Sequence, residues 1–271
     1  MRCCHPTLLA LLLAGCTAAP KSADYTVETG VRYAVARYDG DPRIGDVYRP
    51  DTPGPRPAVL LIHGGSWMRG KRSEMGKFAR RFARAGYAVY NVDYRLAPEH
   101  RFPAQLDDVR AAFGWLHAHA ASLSVDPDRI AVMGYSAGAH LALLLALADA
   151  GGAPVPRAAI AGAAPTDLRV VPSSPVVAAL IGGPGDALPD AYAQASPIAH
   201  VSADDPPVLL YHGTLDLRVD VEQPRRLVAA LRAAGVTAEL VEAPWSGHTS
   251  AYFFDGDSFE AALAFLAEQM R

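Results

Sequence analysis

Gly134-Tyr135-Ser136-Ala137-Gly138 places a serine between two glycines, and the segments on either side indicate how this part of the chain folds. The apolar run Arg129–Met133 predicts a short buried strand before it, and the Leu- and Ala-rich segment 139–150 predicts a helix after it. On such a sharp strand-to-helix turn the serine hydroxyl stands exposed above a sheet, and the glycines avoid collisions with the strand and the helix. Free N–H groups at the helix start favour negative charge beside Ser136. The pentapeptide alone is a weak signal, so a base, an acid and an oxyanion hole have to be found elsewhere in the chain.

The rest of the chain alternates between strand-like and helix-like segments. Apolar runs such as Pro57–Ile62 are typical of strands covered on both faces. Strands are predicted at 31–36, 46–48, 57–62, 87–92, 130–134, 158–162, 207–211 and 238–241, and further helices at 73–85, with Ser73 as N-cap, 105–120, 221–234 and 258–270. This alternation with short connections predicts an α/β fold with a mostly parallel central sheet and helices on both faces. The Pro- and Gly-rich segment 167–200 predicts a small cap over the strand ends.

The length, composition and charge of the chain limit the kinds of protein that it can be. The chain has 271 residues, of which 51% are hydrophobic, and a net charge of −3. It contains no run of Lys or Arg long enough to bind a polyanion, which excludes nucleic acid as an expected partner. No internal repeat interrupts residues 31–271, and we expect them to form a single domain.

The N-terminus predicts export. Residues 1–15 have a positive start and a short apolar stretch, and Leu13-Ala14-Gly15-Cys16 resembles the lipobox of bacterial lipoproteins, in which the cysteine is lipidated. An ordinary secretory signal cut near Ala18-Ala19 is the alternative. Residues 16–30 are then a linker, and we expect a secreted or periplasmic protein that contacts the membrane only through a lipid on Cys16. The other two cysteines lie in the leader, so neither disulfides nor a cysteine metal site is expected in the body.

The base and the acid are predicted from their order along the chain. In the serine hydrolases built on a nucleophile elbow, the acid and then the histidine follow the serine. His248 is the one histidine beyond the last predicted strand, in a loop of the kind that holds catalytic side chains. Asp216 directly follows the strand 207–211 in His212-Gly213-Thr214-Leu215-Asp216, and its role is to orient His248. Asp220 competes with it, but fits better at the start of the next helix.

The strand 57–62 is followed by His63-Gly64-Gly65-Ser66-Trp67. Small residues here let the backbone approach a substrate carbonyl and direct N–H groups at it, although a simple glycine turn explains them as well. Five aromatic residues near strand ends are candidates for the substrate pocket or for the core: Trp67, Trp245, Tyr252, Phe253 and Phe254.

Taken together these motifs resemble the hormone-sensitive-lipase-like and carboxylesterase branch of the α/β-hydrolases. His63–Trp67 is similar to their H-G-G-G-[FW] motif, Tyr94–Glu99 matches Y-R-L-A-P-E, and the similarity covers about 47–271. The resemblance implies an α/β-hydrolase fold and an oxyanion hole made of the N–H groups of Gly65, Ser66 and Ala137. Ser66 replaces the third glycine of the motif, and a left-handed backbone there is strained.

The resemblance implies a serine carboxylesterase that needs no metal and no organic cofactor. A short cap implies an open pocket for small-molecule esters with small or short acyl groups. The alternatives are an arylformamidase, an acetyl-sugar or feruloyl esterase or a serine peptidase on the same fold, and a non-catalytic binding protein on this scaffold.

Overall fold

A single eight-stranded sheet forms the centre of the computed structural model, which describes residues 23–35, 41–148, 151–253 and 255–271. The strands are β1 (Tyr25–Arg32), β2 (Ile44–Pro50), β3 (Arg56–Ile62), β4 (Ala88–Val92), β5 (Val125–Tyr135), β6 (Ala159–Gly162), β7 (Val208–Gly213) and β8 (Ala238–Ala243). They lie in the order β1-β2-β4-β3-β5-β6-β7-β8. The pairs β1–β2 and β2–β4 are antiparallel, and every other pair is parallel. The predicted mostly parallel sheet is confirmed.

Helices cover both faces of this sheet. They are α1 (Gly76–Arg84), α2 (Ala104–Ala118), α3 (Ala137–Leu147), α4 (Pro175–Ile181), α5 (Pro189–Gln194), α6 (Glu222–Ala233), α7 (His248–Phe253) and α8 (Gly256–Gln269). Alternate residues of β3 point to opposite faces: Leu60 and Ile62 join the core with α2, α3 and α6, whereas Val59 and Leu61 join the core with α1 and α8. Two apolar cores therefore hold β3 and β5 rigidly between them, as expected for a parallel sheet.

The predicted start of the domain at residue 31 is wrong. Tyr25–Gly30 was expected in the linker, but it belongs to β1 and pairs with β2, with a register shift between Glu28 and Val31. β1 is an edge strand whose side chains are mostly exposed. Its sequence carries no apolar run because neither face is fully covered. The strand also ends at Arg32, before the predicted end at residue 36, which lies outside the described residues.

Two further boundaries differ from the prediction. Ser73 does not cap a helix: it lies inside a 3-10 turn, Arg72–Met75, and α1 begins at Gly76. The segment 167–200 is more ordered than its weak periodicity indicates. Its short helices α4 and α5 are set by Ser174, whose hydroxyl accepts from Val177 N, and by prolines in their first turns. Leu168 and Val177 of this cap line a cleft together with Ser136, which follows the carboxyl end of β5.

The nucleophile elbow depends on close backbone packing. A Cβ on Gly138 would lie 2.2 Å from the carbonyl oxygen of Ile62, and one on Gly134 would lie 2.2 Å from that of Gly138. These glycines let β5, the first turn of α3 and the end of β3 meet. The contact fixes the serine between them relative to the segment that follows β3.

Gly138→Ala is expected to destabilise the fold by about 1–3 kcal/mol or more, because the backbone atoms that the new methyl group meets cannot move aside. Helix propensity alone predicts the opposite sign, a gain of up to about 1 kcal/mol. Gly114→Ala, in α2 with open space around its Cβ position, is the matched control and should show that gain. Urea unfolding of both variants measures the difference. Equal effects at the two glycines would contradict the packing described for the elbow.

The leader and Cys16 lie outside the described residues. Among the residues that are described, no helix is both long and apolar enough to cross a membrane.

Candidate active site

The structure brings Ser136, Asp216 and His248 into one hydrogen-bonded chain. His248 Nε2 lies 2.9 Å from Ser136 Oγ, and His248 Nδ1 lies 2.7 Å from Asp216 Oδ2. An ionised carboxylate only accepts, so Nδ1 carries the proton and Nε2 presents its lone pair to the serine hydroxyl. This arrangement can remove the Ser136 proton and store it on an imidazolium beside a negative charge.

Ser136 lies where β5 ends and α3 begins, and its backbone is strained. Its φ is 54° and its ψ is −119°, a conformation that L-residues rarely adopt. Two hydrogen bonds hold it there: Ser136 N donates to the Gly162 carbonyl at 2.7 Å, and His140 N donates to the Ser136 carbonyl at 3.0 Å. Such strain costs of order 1–3 kcal/mol and persists only where the surroundings enforce it. The elbow holds the hydroxyl above the sheet, within reach of His248.

Asp216 is fixed and kept ionised by its surroundings. Its Oδ1 accepts from Arg218 N at 2.8 Å and from Val219 N at 3.0 Å, and its Oδ2 lies 3.3 Å from His212 Nε2 as well as close to His248. Burial by itself raises the pKa of this carboxyl. The hydrogen bonds from His212, His248 and Val219 N outweigh burial and hold the pKa of Asp216 well below its usual range. The carboxylate is therefore charged and correctly oriented whenever His248 needs it.

The sequence predicts that His248 lies in an open loop. In the structure it is instead the first residue of α7. The hydroxyl of Tyr135, the residue before the nucleophile, donates to the His248 carbonyl. Further along α7, the Tyr252 hydroxyl donates to the Glu74 carbonyl, and Lys77 Nζ donates to the Tyr252 carbonyl. The helix that carries His248 is thus tied to β5 and to α1 by side-chain hydrogen bonds.

The loop after β3 has the backbone geometry expected of an anion-binding turn. Gly65, Ser66 and Trp67 have φ values of 112°, 57° and 60°, and Arg69 N donates to the Gly65 carbonyl at 3.1 Å. Ser66 adopts the left-handed conformation anticipated as strained at this position. In the described part of the chain the N–H groups of Gly65, Ser66 and Ala137 donate to no other group, and all three residues line the cleft around Ser136. They can therefore bind an oxyanion.

His140 links this loop to the cap. The indole N–H of Trp67 donates to His140 Nδ1 at 3.2 Å, so Nε2 carries the ring proton and donates to the Ala195 carbonyl at 2.7 Å. The imidazole is completely buried, and burial lowers its pKa to about 4. His140 is consequently neutral, and it links the Trp67 ring to Ala195, the residue that follows α5.

His140→Gln is expected to make the free energy of unfolding depend less steeply on pH between pH 7 and 4.5. Below its ordinary pKa of 6.5 the unfolded imidazole binds a proton, whereas the folded one remains neutral down to about pH 4. Between these values the unfolded state binds more protons, so the free energy of unfolding falls as the pH falls, by up to about 1.4 kcal/mol per pH unit. Urea unfolding from pH 7 to 4.5 measures this slope. His119→Gln, which removes an exposed imidazole, is the control; parallel wild-type and His140→Gln profiles would contradict the account.

Two arms of a cleft meet at Ser136 and His248. One arm, of about 320 Å³, is largely apolar and is walled by the cap. Its apolar lining residues are Trp67, Ala137, Pro165, Leu168, Val171, Val176, Val177 and Val219. The other arm, of about 170 Å³, includes Met75 but is lined mostly by residues with polar or charged side chains. The charged and hydroxyl-bearing side chains along it, besides Ser136 and His248, are Ser66, Arg69, Glu74, Tyr135, Arg218, Thr249 and Tyr252.

The structure separates the aromatic pocket candidates. Trp67 and Tyr252 line the cleft, one in each arm. Trp245 does not, and its prediction as a pocket residue is corrected: its side chain is 86% exposed, because the turn after β8 directs it to solvent. Phe253 is also exposed and lines neither arm, and Phe254 lies outside the described residues.

Asp220, the competing acid, begins the segment that leads into α6, and its carboxylate accepts from Glu222 N at 2.9 Å. Within the described ranges, no group of three or more His, Cys, Asp or Glu side chains is placed to hold a metal ion.

Two residues of the site were not predicted from the sequence. His212 is fully buried at the end of β7 and supports Asp216, and the only signal for it was its spacing of four residues from that acid. Arg218 lines both arms of the cleft. The sequence feature that could have indicated Arg218 is its position two residues after Asp216, in the loop whose N–H groups bind that carboxylate.

The chain is similar to known esterases in sequence and in fold. A family model described as BD-FAE matches residues 46–231. Esterase LipC of Mycobacterium tuberculosis is 32% identical over 78% of this chain and 58% of its own length. A carbohydrate esterase from gut microbiota superposes with a TM-score of 0.82 at 26% identity, covering 93% of this chain and 98% of that one. A bacterial heroin esterase superposes with a TM-score of 0.76 at 30% identity, over 94% and 87%. The fold is thus that of the α/β-hydrolases, and the chain spans little more than half the length of the curated relative.

Proposed function

The chain belongs to the BD-FAE family, and from this membership and the site geometry we propose that it is a serine carboxylesterase acting on small or short-chain acyl esters. The observation that carries the proposal is the chain of contacts from Ser136 Oγ to His248 Nε2, at 2.9 Å, and from His248 Nδ1 to Asp216 Oδ2, at 2.7 Å. The esterase names of the similar proteins support the same reaction class.

Catalysis begins when His248 Nε2 takes the hydroxyl proton and Ser136 Oγ attacks the carbonyl carbon of the ester. The N–H groups of Gly65, Ser66 and Ala137 bind the negative oxygen that forms. His248 then gives its proton to the departing alcohol oxygen, which leaves an acyl-enzyme. A water molecule, deprotonated by His248, attacks that acyl group, releases the carboxylic acid and restores the Ser136 hydroxyl.

The short acyl chain is supported by the apolar arm. Its volume of about 320 Å³ is small for a ligand pocket, and the cap residues Leu168 and Val177 form part of its wall. A series of p-nitrophenyl esters from acetate to decanoate tests this point. We expect kcat/KM to be highest between acetate and butyrate and to fall at octanoate; a maximum at octanoate or beyond would contradict the proposal. Labelling of Ser136 by an organophosphonate separates an esterase from a non-catalytic binding protein.

An acetyl-sugar esterase is a second candidate, because the carbohydrate esterase superposes over nearly its whole length. Acetylated xylooligosaccharides, N-formylkynurenine and an aminoacyl amide, assayed beside phenyl acetate, distinguish this activity from formamidase and peptidase activity. Acetate release from the sugars at a higher kcat/KM than from phenyl acetate would favour the second candidate over a general carboxylesterase.

We further propose that the protein is exported and held at a membrane by a lipid on Cys16. The sequence Leu13-Ala14-Gly15-Cys16 after a short apolar stretch supports this, and the polar segment that follows provides a tether. In cells, Cys16→Ala is expected to move the esterase from the membrane fraction to a soluble fraction outside the cytoplasm. An unchanged distribution would favour an ordinary secretory signal.

A further inference from the structure

Two arginines whose guanidinium groups have no partner in the described part of the chain line the same cleft arm as the nucleophile. Several arginines elsewhere in the structure pair with carboxylates, as Arg95 does with Asp108 at 2.8 Å. By contrast, the guanidinium groups of Arg69 and Arg218 bond to no group in the described part of the chain, although both residues line the polar arm that contains Ser136. Such an arrangement leaves ten N–H donors, five on each guanidinium, available to a ligand.

The backbone places both arginines at fixed points of the catalytic machinery. Arg218 N donates to Asp216 Oδ1 at 2.8 Å, so this residue is part of the loop that holds the acid. Arg69 N donates to the Gly65 carbonyl at 3.1 Å, so this residue closes the oxyanion turn. Both residues also line the arm that contains Ser136, so a negative group held by their guanidinium groups would lie in the same arm as the ester carbonyl attacked by Ser136.

The third charge in the arm is the carboxylate of Glu74. It lies toward Gly70, where a Cβ would be 3.3 Å from Glu74 Oε2, on the side of the buried His63 ring. No ion pair joins Glu74 to either cleft arginine among the described residues. The arm thus carries two positive charges and one negative charge, and the excess is positive.

We propose, resting on the function proposed above, that the polar arm binds the alcohol part of the ester and that this alcohol carries a carboxylate held by Arg69 and Arg218. The apolar arm fits the short acyl chain, which leaves the polar arm for the leaving group. The guanidinium fork matches a carboxylate with two parallel hydrogen bonds. Hydrolysis then yields a short carboxylic acid and a hydroxy-carboxylate, with one water consumed.

A matched pair of acetate esters tests the inference. 4-Acetoxybenzoate and 4-acetoxybenzamide share the acyl group and the ring, and differ in the charge of the leaving group. We expect Arg69→Gln and Arg218→Gln each to lower the ratio of kcat/KM, charged over neutral, by about fivefold, which corresponds to one partly screened ion pair. Glu74→Gln is expected to raise the ratio about twofold, and 0.5 M salt to lower it in the wild type.

Arg226→Gln is the matched control. Arg226 has an unpaired guanidinium in the described part of the chain and shares a neighbouring surface cavity with Arg218, but does not line the arm with Ser136. Arg226→Gln changes the net charge by the same amount as Arg69→Gln or Arg218→Gln. We expect it to leave the ratio of kcat/KM, charged over neutral ester, within twofold of the wild-type ratio. A ratio within twofold of wild type in the Arg69→Gln, Arg218→Gln double variant, or an equal fall in Arg226→Gln, overturns the inference while the esterase stands. Hydrolysis of neither ester by the wild type overturns the proposed function, and the inference with it.

Discussion

Ser136→Ala is expected to lower kcat toward phenyl acetate by about a million-fold, the effect seen when the nucleophile of a serine triad is removed. Among the described residues, the hydroxyl that bonds to His248 Nε2 is that of Ser136, at 2.9 Å, at the junction of the two cleft arms. The alanine keeps the strained backbone of the elbow, since both residues carry a Cβ at a φ of 54°. The fold should therefore persist, and a thermal melt beside the kinetic assay checks that the loss is chemical.

Ser122→Ala is the control for this substitution. The Ser122 hydroxyl donates to the His119 carbonyl beyond the end of α2, and Ser122 lines neither arm of the cleft. Its removal should leave kcat within twofold. If Ser136→Ala retains more than one hundredth of wild-type turnover with a normal melting temperature, the nucleophile lies elsewhere.

Asp216→Asn is expected to reduce kcat by about ten-thousand-fold. Asparagine can still accept from Arg218 N and Val219 N, but it then presents an amide N–H₂ to His248 Nδ1. The imidazole must respond by accepting at Nδ1 and carrying its proton on Nε2, where it can no longer take the proton of Ser136. The loss therefore comes from the wrong tautomer rather than from a displaced residue.

Asp220→Asn provides the comparison within the same loop. Its carboxylate is exposed and accepts from Glu222 N, a bond that an amide oxygen also makes. We expect less than a threefold change in kcat, and a loss of helix-start electrostatics below about 1 kcal/mol. If Asp220→Asn lowers kcat more than Asp216→Asn does, Asp220 is the acid that orients His248 and Asp216 is not.

The parallel strands and the approximate positions of the chemical groups were predictable because local chemistry sets them. A strand covered on both faces, such as β3, needs a nearly continuous apolar run, and that run is visible in the sequence. Ser136 was marked by its glycines, which close packing requires. His248 and Asp216 were predicted from their order along the chain and their positions after predicted strands, and the structure places them within hydrogen-bond distance of each other.

The features that the sequence did not predict depend on contacts between residues that are distant in the chain. β1 has no apolar pattern, since its exposed edge is stabilised by pairing with β2. The exposure of Trp245 follows from a turn whose direction its own sequence does not specify. His212 and Arg218 acquire their importance from what surrounds them in three dimensions. Short helices in the cap are likewise fixed by caps and prolines, which do not produce a periodic signal.

Ser136 and His248, which exchange the proton, lie on elements that differ in their resistance to local unfolding. Ser136 follows β5, whose neighbours on both sides are parallel strands, so its amides open only when most of the sheet opens. His248 begins a six-residue helix after β8, the last strand in the sheet order. That helix is held by side-chain hydrogen bonds and by the packing of the Tyr252 ring against Phe78 and Tyr135. Local opening of this segment separates base from nucleophile while the sheet stays intact. We therefore expect inactivation by mild heat or denaturant to be a sub-global event that is reversible on re-closing and distinct from global melting.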